Sequence, residues 1–216
     1  MLWFALPWPP EGVPTQPAQD EVGGASPGDP LGWWALRLTP RVARLEDALL
    51  LEVSGSLRLW GGVAALQQRI FEQNMALAPA DIAQSAIGII AIAHLRLRRQ
   101  GCAVPTGGAA ALPLPVLDAA RPHVPLLARL GLRTWGDAHA LPRAAMVRRF
   151  GPALRAALDV AFGLAPERYP WLVLPERFDE KLELPAHAES APALLWSANR
   201  LLAALQTWLR ARQQGV

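Results

Sequence analysis

The hydrophobic positions of this chain fall first into short runs and later into helical stripes. Leu2 to Leu6, LWFAL, is an apolar run of the length and residue type of a short buried strand. Residues 7–30 hold seven prolines and several glycines with no period, the pattern of a loop or disordered stretch. Asp29–Pro30 then suits the cap and first turn of a helix through about Leu38. Pro40 stops that helix, because the residue before a proline is pushed out of the α region. Arg41 to Leu45 alternates, Glu46–Asp47 is turn-like, and Leu49 to Ser54 is mostly apolar. This predicts a hairpin of one half-buried and one central strand. Gly61–Gly62 opens an amphipathic helix with Val63, Leu66, Ile70 and Phe71 on one stripe. Residues 82–87 read as a further strand. Residues 88–99 read as a helix whose closing Arg96, Arg98 and Arg99 suit the negative end of the helix dipole.

The rhythm changes after residue 99. Residues 100–115 are rich in glycine, proline and alanine and read as a linker, and 116–165 carry the period of several short helices. "YPWLVLPERFDEKLELP" is extended, with a strand expected near Phe178 and Lys181–Glu183. Ser190 is placed to cap a long helix with Pro192 in its first turn, and Gly215 to stop it. Its apolar positions are Leu194, Leu195, Ala198, Leu201, Leu202, Leu205, Trp208 and Leu209. An apolar stripe of that length is expected to dock in cis or to self-associate through residues 190–214.

Composition narrows the class. The 216 residues suffice for one large or two small cores. No run approaches the ~20 apolar residues of a membrane span. The start "MLWFALPWPPEG" has no basic residue and is broken by prolines, so it does not read as a signal peptide. Cys102 is the single cysteine, which excludes an internal disulfide and suits a reducing cytoplasm. The charge is uneven: residues 1–60 hold four arginines against seven acids, and 121–168 hold eight arginines against three. A basic segment of that kind attracts phosphate, although 20 arginines beside one lysine also fit a coding bias.

The basic segment centres on "LARLGLRTWGDAHALPRAAMVRRFG", Leu127 to Gly151. Two short helical patterns flank Gly131–Leu132–Arg133–Thr134. A glycine there can take a left-handed backbone and turn the chain tightly. The start of the next helix then offers N–H groups to a phosphate oxygen. Gly131, Arg133, Thr134 and Gly136 stand at that place with Asp137 as a cap, and Arg143, Arg148 and Arg149 follow. The same pattern also fits a purely structural helical hairpin. Catalytic patterns are sparse: there is no P-loop, GxGxxG, HExxH or nucleophile elbow, and the four histidines have no ligand spacing. Neither a metal nor a cofactor is expected. The close carboxylates Glu46, Asp47 and Glu52 read as a solvated turn and an outward face. Of nine tryptophans, Trp8, Trp135 and Trp171 are the candidates for base stacking, the rest falling on apolar faces.

Together these segments resemble a known family. "TPRVARLEDALLLEVSGSLRLWGG" is similar to the palm of Y-family translesion DNA polymerases. "LARLGLRTWGDAHALPRAAMVRRFG" is similar to their helix-hairpin-helix thumb, and "RFDEKLELPAHAESAPALLWSANRLLAALQTWLRARQQGV" to the start of their little finger. Within that family the ImuB branch, the polymerase-like subunits of the bacterial ImuA–ImuB mutasome, is the nearest in kind. The resemblance implies an α+β fold: a partial palm-like α/β region over 1–99 with the proline-rich loop 9–30, a linker at 100–115, a thumb at 116–166 and an incomplete little finger at 167–216. It also implies departures. Active members carry an Asp on the first strand, where this chain has Leu2 to Leu6 followed by Pro7 and Trp8. They carry an Asp–Glu pair in the hairpin, where this chain has Asp47 followed by Ala48. The expectation is a cytoplasmic, DNA-binding accessory protein of translesion synthesis and SOS mutagenesis that is internally shortened, C-terminally truncated and catalytically silent. By resemblance its partners are primer–template DNA gripped without sequence reading, an ImuA/RecA-like protein, an error-prone DnaE-type polymerase and the sliding clamp. A diverged nucleotidyltransferase and a non-functional remnant are the alternatives.

Overall fold

A computed structural model describes residues 1–8, 30–73, 77–182 and 191–213. Four short strands form one sheet in the order β2-β3-β1-β4: β1 is Trp3–Pro7, β2 Val42–Arg44, β3 Ala48–Glu52 and β4 Ala83–Ser85. All neighbouring pairs are antiparallel, with Ala5 opposite Leu50 and Ala83, and Ala43 opposite Leu50. The period of two splits each central strand between two cores. Phe4, Leu6, Leu49 and Leu51 face helices α1 (Pro30–Leu36) and α2 (Val63–Gln73), while Trp3, Ala5, Ala48 and Leu50 face α3 (Gly88–Arg99). Layers on both sides of the sheet explain why β1 and β3 are nearly continuous apolar runs.

Helix α3 is also buried on two sides. Ala91, Ile92 and Leu95 pack on the sheet, and Ile90, Ala93 and Leu97 pack on a second, helical core. That core is built from 3₁₀ turns at Gly108–Ala111, Leu114–Val116 and Asp118–His123. Helices α4 (Val124–Arg129), α5 (Trp135–His139), α6 (Arg143–Phe150) and α7 (Pro152–Ala161) complete it. Within residues 100–115, expected as a linker, Leu112 and Leu114 are fully buried in this core. The chain then returns to the sheet. Trp171 bridges Ala43 at the β2 edge, and the Leu172 N–H donates to Val42 O at 2.7 Å. Helix α8 (Ala191–Gln213) packs on α1.

Two expectations for the C-terminal part change. No strand forms at 178–182; residues 183–190, including the expected Ser190 cap, lie outside the described residues. Phe178 instead stands edge-on to Trp33 at 6.0 Å and near Trp208 at 6.1 Å, so it plugs the α1–α8 contact. The buried side of α8 is Ala204, Trp208 and Ala211 on Trp33. Leu194, Leu195, Leu202 and Leu209, expected on the docking face, are exposed. The small alanines permit the close approach to the Trp33 indole, so packing follows them rather than the leucines.

Candidate nucleic-acid interface

The hairpin centred on Gly131 is made by two interlocking caps. Gly131 has φ +80°, its N–H donates to Ala128 O at 3.0 Å, and the Leu132 N–H donates to Leu127 O at 3.0 Å. That 6→1 and 5→2 pair is the Schellman ending that glycine makes possible. Two residues later Thr134 begins α5 with a capping box. Asp137 N–H donates to the Thr134 hydroxyl at 3.1 Å, and Asp137 Oδ2 accepts from the N–H groups of Arg133 and Thr134 at 2.9 Å each. The Arg133 and Thr134 N–H donors, with the Thr134 side chain adding to them, hold the Asp137 carboxyl below the usual range. The N–H groups expected to be open to a phosphate are therefore donated to Asp137, and the Trp135 N–H donates to Leu112 O at 2.8 Å.

Gly136 has a packing reason of its own. A Cβ there would lie 2.9 Å from Ala110 O, so only glycine lets α5 seat against the 3₁₀ turn. Trp135, a stacking candidate in the sequence, is 0% exposed and donates its indole N–H to Pro113 O at 3.0 Å, so it cannot meet a base. Trp171 remains 39% exposed with one face stacked on Trp3 at 6.1 Å. Trp8 is half-buried beneath the Arg44 guanidinium.

The side chains divide by their partners. Arg143 meets Asp159 at 2.7 Å, beside the buried Arg155–Asp159 pair at 2.8 Å. Arg133, Arg148 and Arg149 are exposed and make no ion pair among the described residues. Arg129, which the sequence reading passed over, is exposed in the last turn of α4; its position two residues before Gly131 is the signal that could have marked it. Phe150 meets His123 edge-on at 5.5 Å, which brings the C-terminal end of α6 beside the start of α4.

Asp47 has a different fate from a solvated turn. Arg96 Nε donates to Asp47 Oδ2 at 2.7 Å and Nη2 to Oδ1 at 2.5 Å, a two-pronged pair. The same guanidinium donates to Asp118 at 2.9 Å and to Val116 O at 2.8 Å. Arg121 adds contacts to Asp47 at 3.6 Å and Asp118 at 3.1 Å. Burial pushes the Asp47 carboxyl up, but the hydrogen-bonded Arg96 and the charges of Arg96 and Arg121 outweigh it and hold it below the usual range. Burial likewise opposes the charge of Arg96, and its two carboxylates reverse that and raise its pKa. The side chain expected to serve the helix dipole is thus a tie between the sheet turn and the helical core. A cleft of about 380 Å³ opens here between Asp47, Arg96, Arg99 and Arg121. Glu52 is buried and faces Arg41 at 3.5 Å, and its Oε1 accepts from the Ser54 N–H at 3.0 Å. Opposite Glu52, β1 presents Trp3.

No family model matches this chain. It is similar to Protein ImuB of Caulobacter vibrioides, found in two strains, at 38% identity over 146 residues. The match covers 62% of this chain and 31% of the relative, so the chain spans about a third of the length of the curated proteins it matches. The identity supports an ImuB-like relationship for the part of this chain that it covers.

Proposed function

We propose that this chain is a DNA-binding, polymerase-like accessory protein of DNA damage tolerance that does not itself add nucleotides. The observation that carries the reading is the engagement of Asp47. Two-metal phosphoryl transfer needs carboxylates free to share divalent ions. Here Asp47 gives both oxygens to Arg96, β1 brings no carboxylate opposite it, and Glu52 is turned to Arg41 and Ser54. The relationship to ImuB supports the setting of translesion synthesis, and with it the proposed partners: an ImuA/RecA-like protein, an error-prone DnaE-type polymerase and the sliding clamp.

In this reading the DNA contact is electrostatic and made by side chains. Arg133, Arg148 and Arg149 face the phosphates, and Gly131, Thr134 and Gly136 shape the hairpin that presents them. Arg143 sits behind them on Asp159. Such contacts position a duplex and read no sequence. The test is primer–template binding by the whole chain across a salt series, with primer extension alongside. Arg148→Ala and Arg149→Ala should each lower the salt slope by about 0.9 per lost phosphate contact. No extension should occur with magnesium or manganese. Extension that depends on Asp47 or Glu52 would reverse the reading, and unchanged binding in both arginine variants would remove the hairpin from the interface.

A further inference from the structure

Helix α8 meets the rest of the chain through Ala204, Trp208 and Ala211 and leaves its leucines outside. Among the described residues no other element exposes as many large apolar side chains. Three of the leucines repeat every seven residues: Leu195 is 61% exposed, Leu202 54% and Leu209 42%. Seven residues are close to two helical turns, so the three lie nearly in line along the helix. Ala198 and Gln206, also exposed, fall between them. A strict seven-residue repeat keeps an apolar seam facing a neighbouring helix, whose side chains enter the gaps between the leucines.

The seam is self-complementary. Leu195 and Leu209 stand seven residues either side of Leu202, and Ala198 and Gln206 stand four either side. A second copy turned about Leu202 to run antiparallel therefore sets its Leu209 on Leu195 and its Gln206 over the small Ala198. Charge selects this direction. Between residues 191 and 213 the helix carries Arg200, Arg210 and Arg212 and no acid. A parallel pair would bring each arginine beside its own copy. The antiparallel pair sets the two Arg210 positions sixteen residues apart, about 24 Å along the axis and beyond a screening length of about 8 Å. The helix dipoles also oppose one another in a parallel pair. The 23-residue helix is about 35 Å long and about 10 Å wide, a footprint of about 350 Å² on each copy. A stable interface takes about 800 Å² per partner, so this contact is a weak one, with a dissociation constant on the order of tens of micromolar. We propose that α8 pairs antiparallel with α8 of a second copy of this chain through Leu195, Leu202 and Leu209. The pairing does not rest on the DNA-binding reading.

The test is light scattering of the whole chain between about 5 and 200 µM, a range that brackets a contact of this size. The mass should rise from monomer to dimer. Leu202→Glu sets two like charges face to face at the centre of the seam and should weaken the dimer at least tenfold. Leu164→Glu, at an exposed leucine outside α8, should leave it unchanged. Cross-linking reads the direction. With the exposed Cys102 changed to serine, Leu202→Cys meets its own copy and should form a disulfide-linked dimer on mild oxidation. Leu195→Cys should not, because fourteen residues, about 21 Å, separate it from its copy and a disulfide spans less than about 7 Å between Cα atoms. A monomer throughout the range, a dimer untouched by Leu202→Glu, an equal loss in Leu164→Glu, or cross-linking at Leu195→Cys would overturn the proposal. A monomer that sediments with phosphatidylglycerol vesicles through Leu202 would give the seam to a membrane surface, and a monomer destabilised by Leu202→Glu would give it to a segment of the same chain; both also overturn it.

Discussion

His94 shows how a single side chain sets a pH response. It lies half-buried on α3, and burial is the main cause that lowers its pKa; a hydrogen bond to the Gln84 backbone opposes the shift and Arg98 adds to it. The unfolded chain therefore takes up the proton first. Stability is complete above the unfolded value of about 6.5 and declines as pH falls through it toward the lower folded value. Urea midpoints between pH 7.5 and 5.5 should fall, and His94→Gln should flatten the slope; an unchanged slope would assign the response elsewhere. The two hairpin glycines separate equally cleanly. Gly131→Ala meets only the left-handed backbone, a cost of about 1–2 kcal/mol, since a Cβ there finds open space. Gly136→Ala drives a Cβ against the Ala110 carbonyl and must move backbone, so thermal melts should show the larger loss at Gly136. The sequence marked Gly131 as the turn-former and Gly136 as part of the phosphate-facing start of the next helix. It could not show that Gly136 answers to Ala110, because that contact joins segments more than twenty residues apart.

Elements were legible where their own residues decide them. ALLLE is apolar at nearly every position because both faces are covered, and β3 forms where the run stands. The Arg41–Glu52 hairpin and the α2 stripe of Leu66 and Ile70 follow the same logic. Helix α8 was legible as a helix but not in its docking face. Eight apolar positions spread over more than one side, and the choice among them is made by Trp33 and Phe178, far away in sequence. Truncating the Trp208 side chain tests that choice. Trp208→Ala removes the indole from Trp33 and Phe178 and its hydrogen bond to Pro175 O at 2.9 Å. It should cost about 3 kcal/mol, read as a lower denaturation midpoint. Leu202→Ala, on the exposed side, should cost far less. Equal losses would mean that α8 docks by the leucine face.

At the scale of the whole molecule, Arg96 and α3 hold the sheet and the helical core together. Arg96 was visible as a cation at a helix end. That it reaches both Asp47 and Asp118 was not, because those acids converge only after the 3₁₀ turns fold. Arg96→Met keeps the stem and removes the tie. A buried pair broken on one side costs ~3–5 kcal/mol, and partial solvation of Asp47 and Asp118 brings the expectation to about 2–3 kcal/mol. Calorimetry should show a lower melting temperature; an unaltered one would show that the tie adds nothing.

Helix α3 has a consequence for anyone who wishes to divide or recombine this chain. Ile90, Ala93 and Leu97 belong to the helical core although they precede it by a dozen residues or more, and Ala91, Ile92 and Leu95 belong to the sheet. A cut near residue 115 would strip the arginine-bearing helices of one wall and strand Trp135 without Leu112 and Pro113. The smallest piece that could be exchanged between relatives with its interior intact runs from Gly88 to Phe162. Even that graft would carry Arg96 into a new host, where it would need an acid at the Asp47 position to receive it.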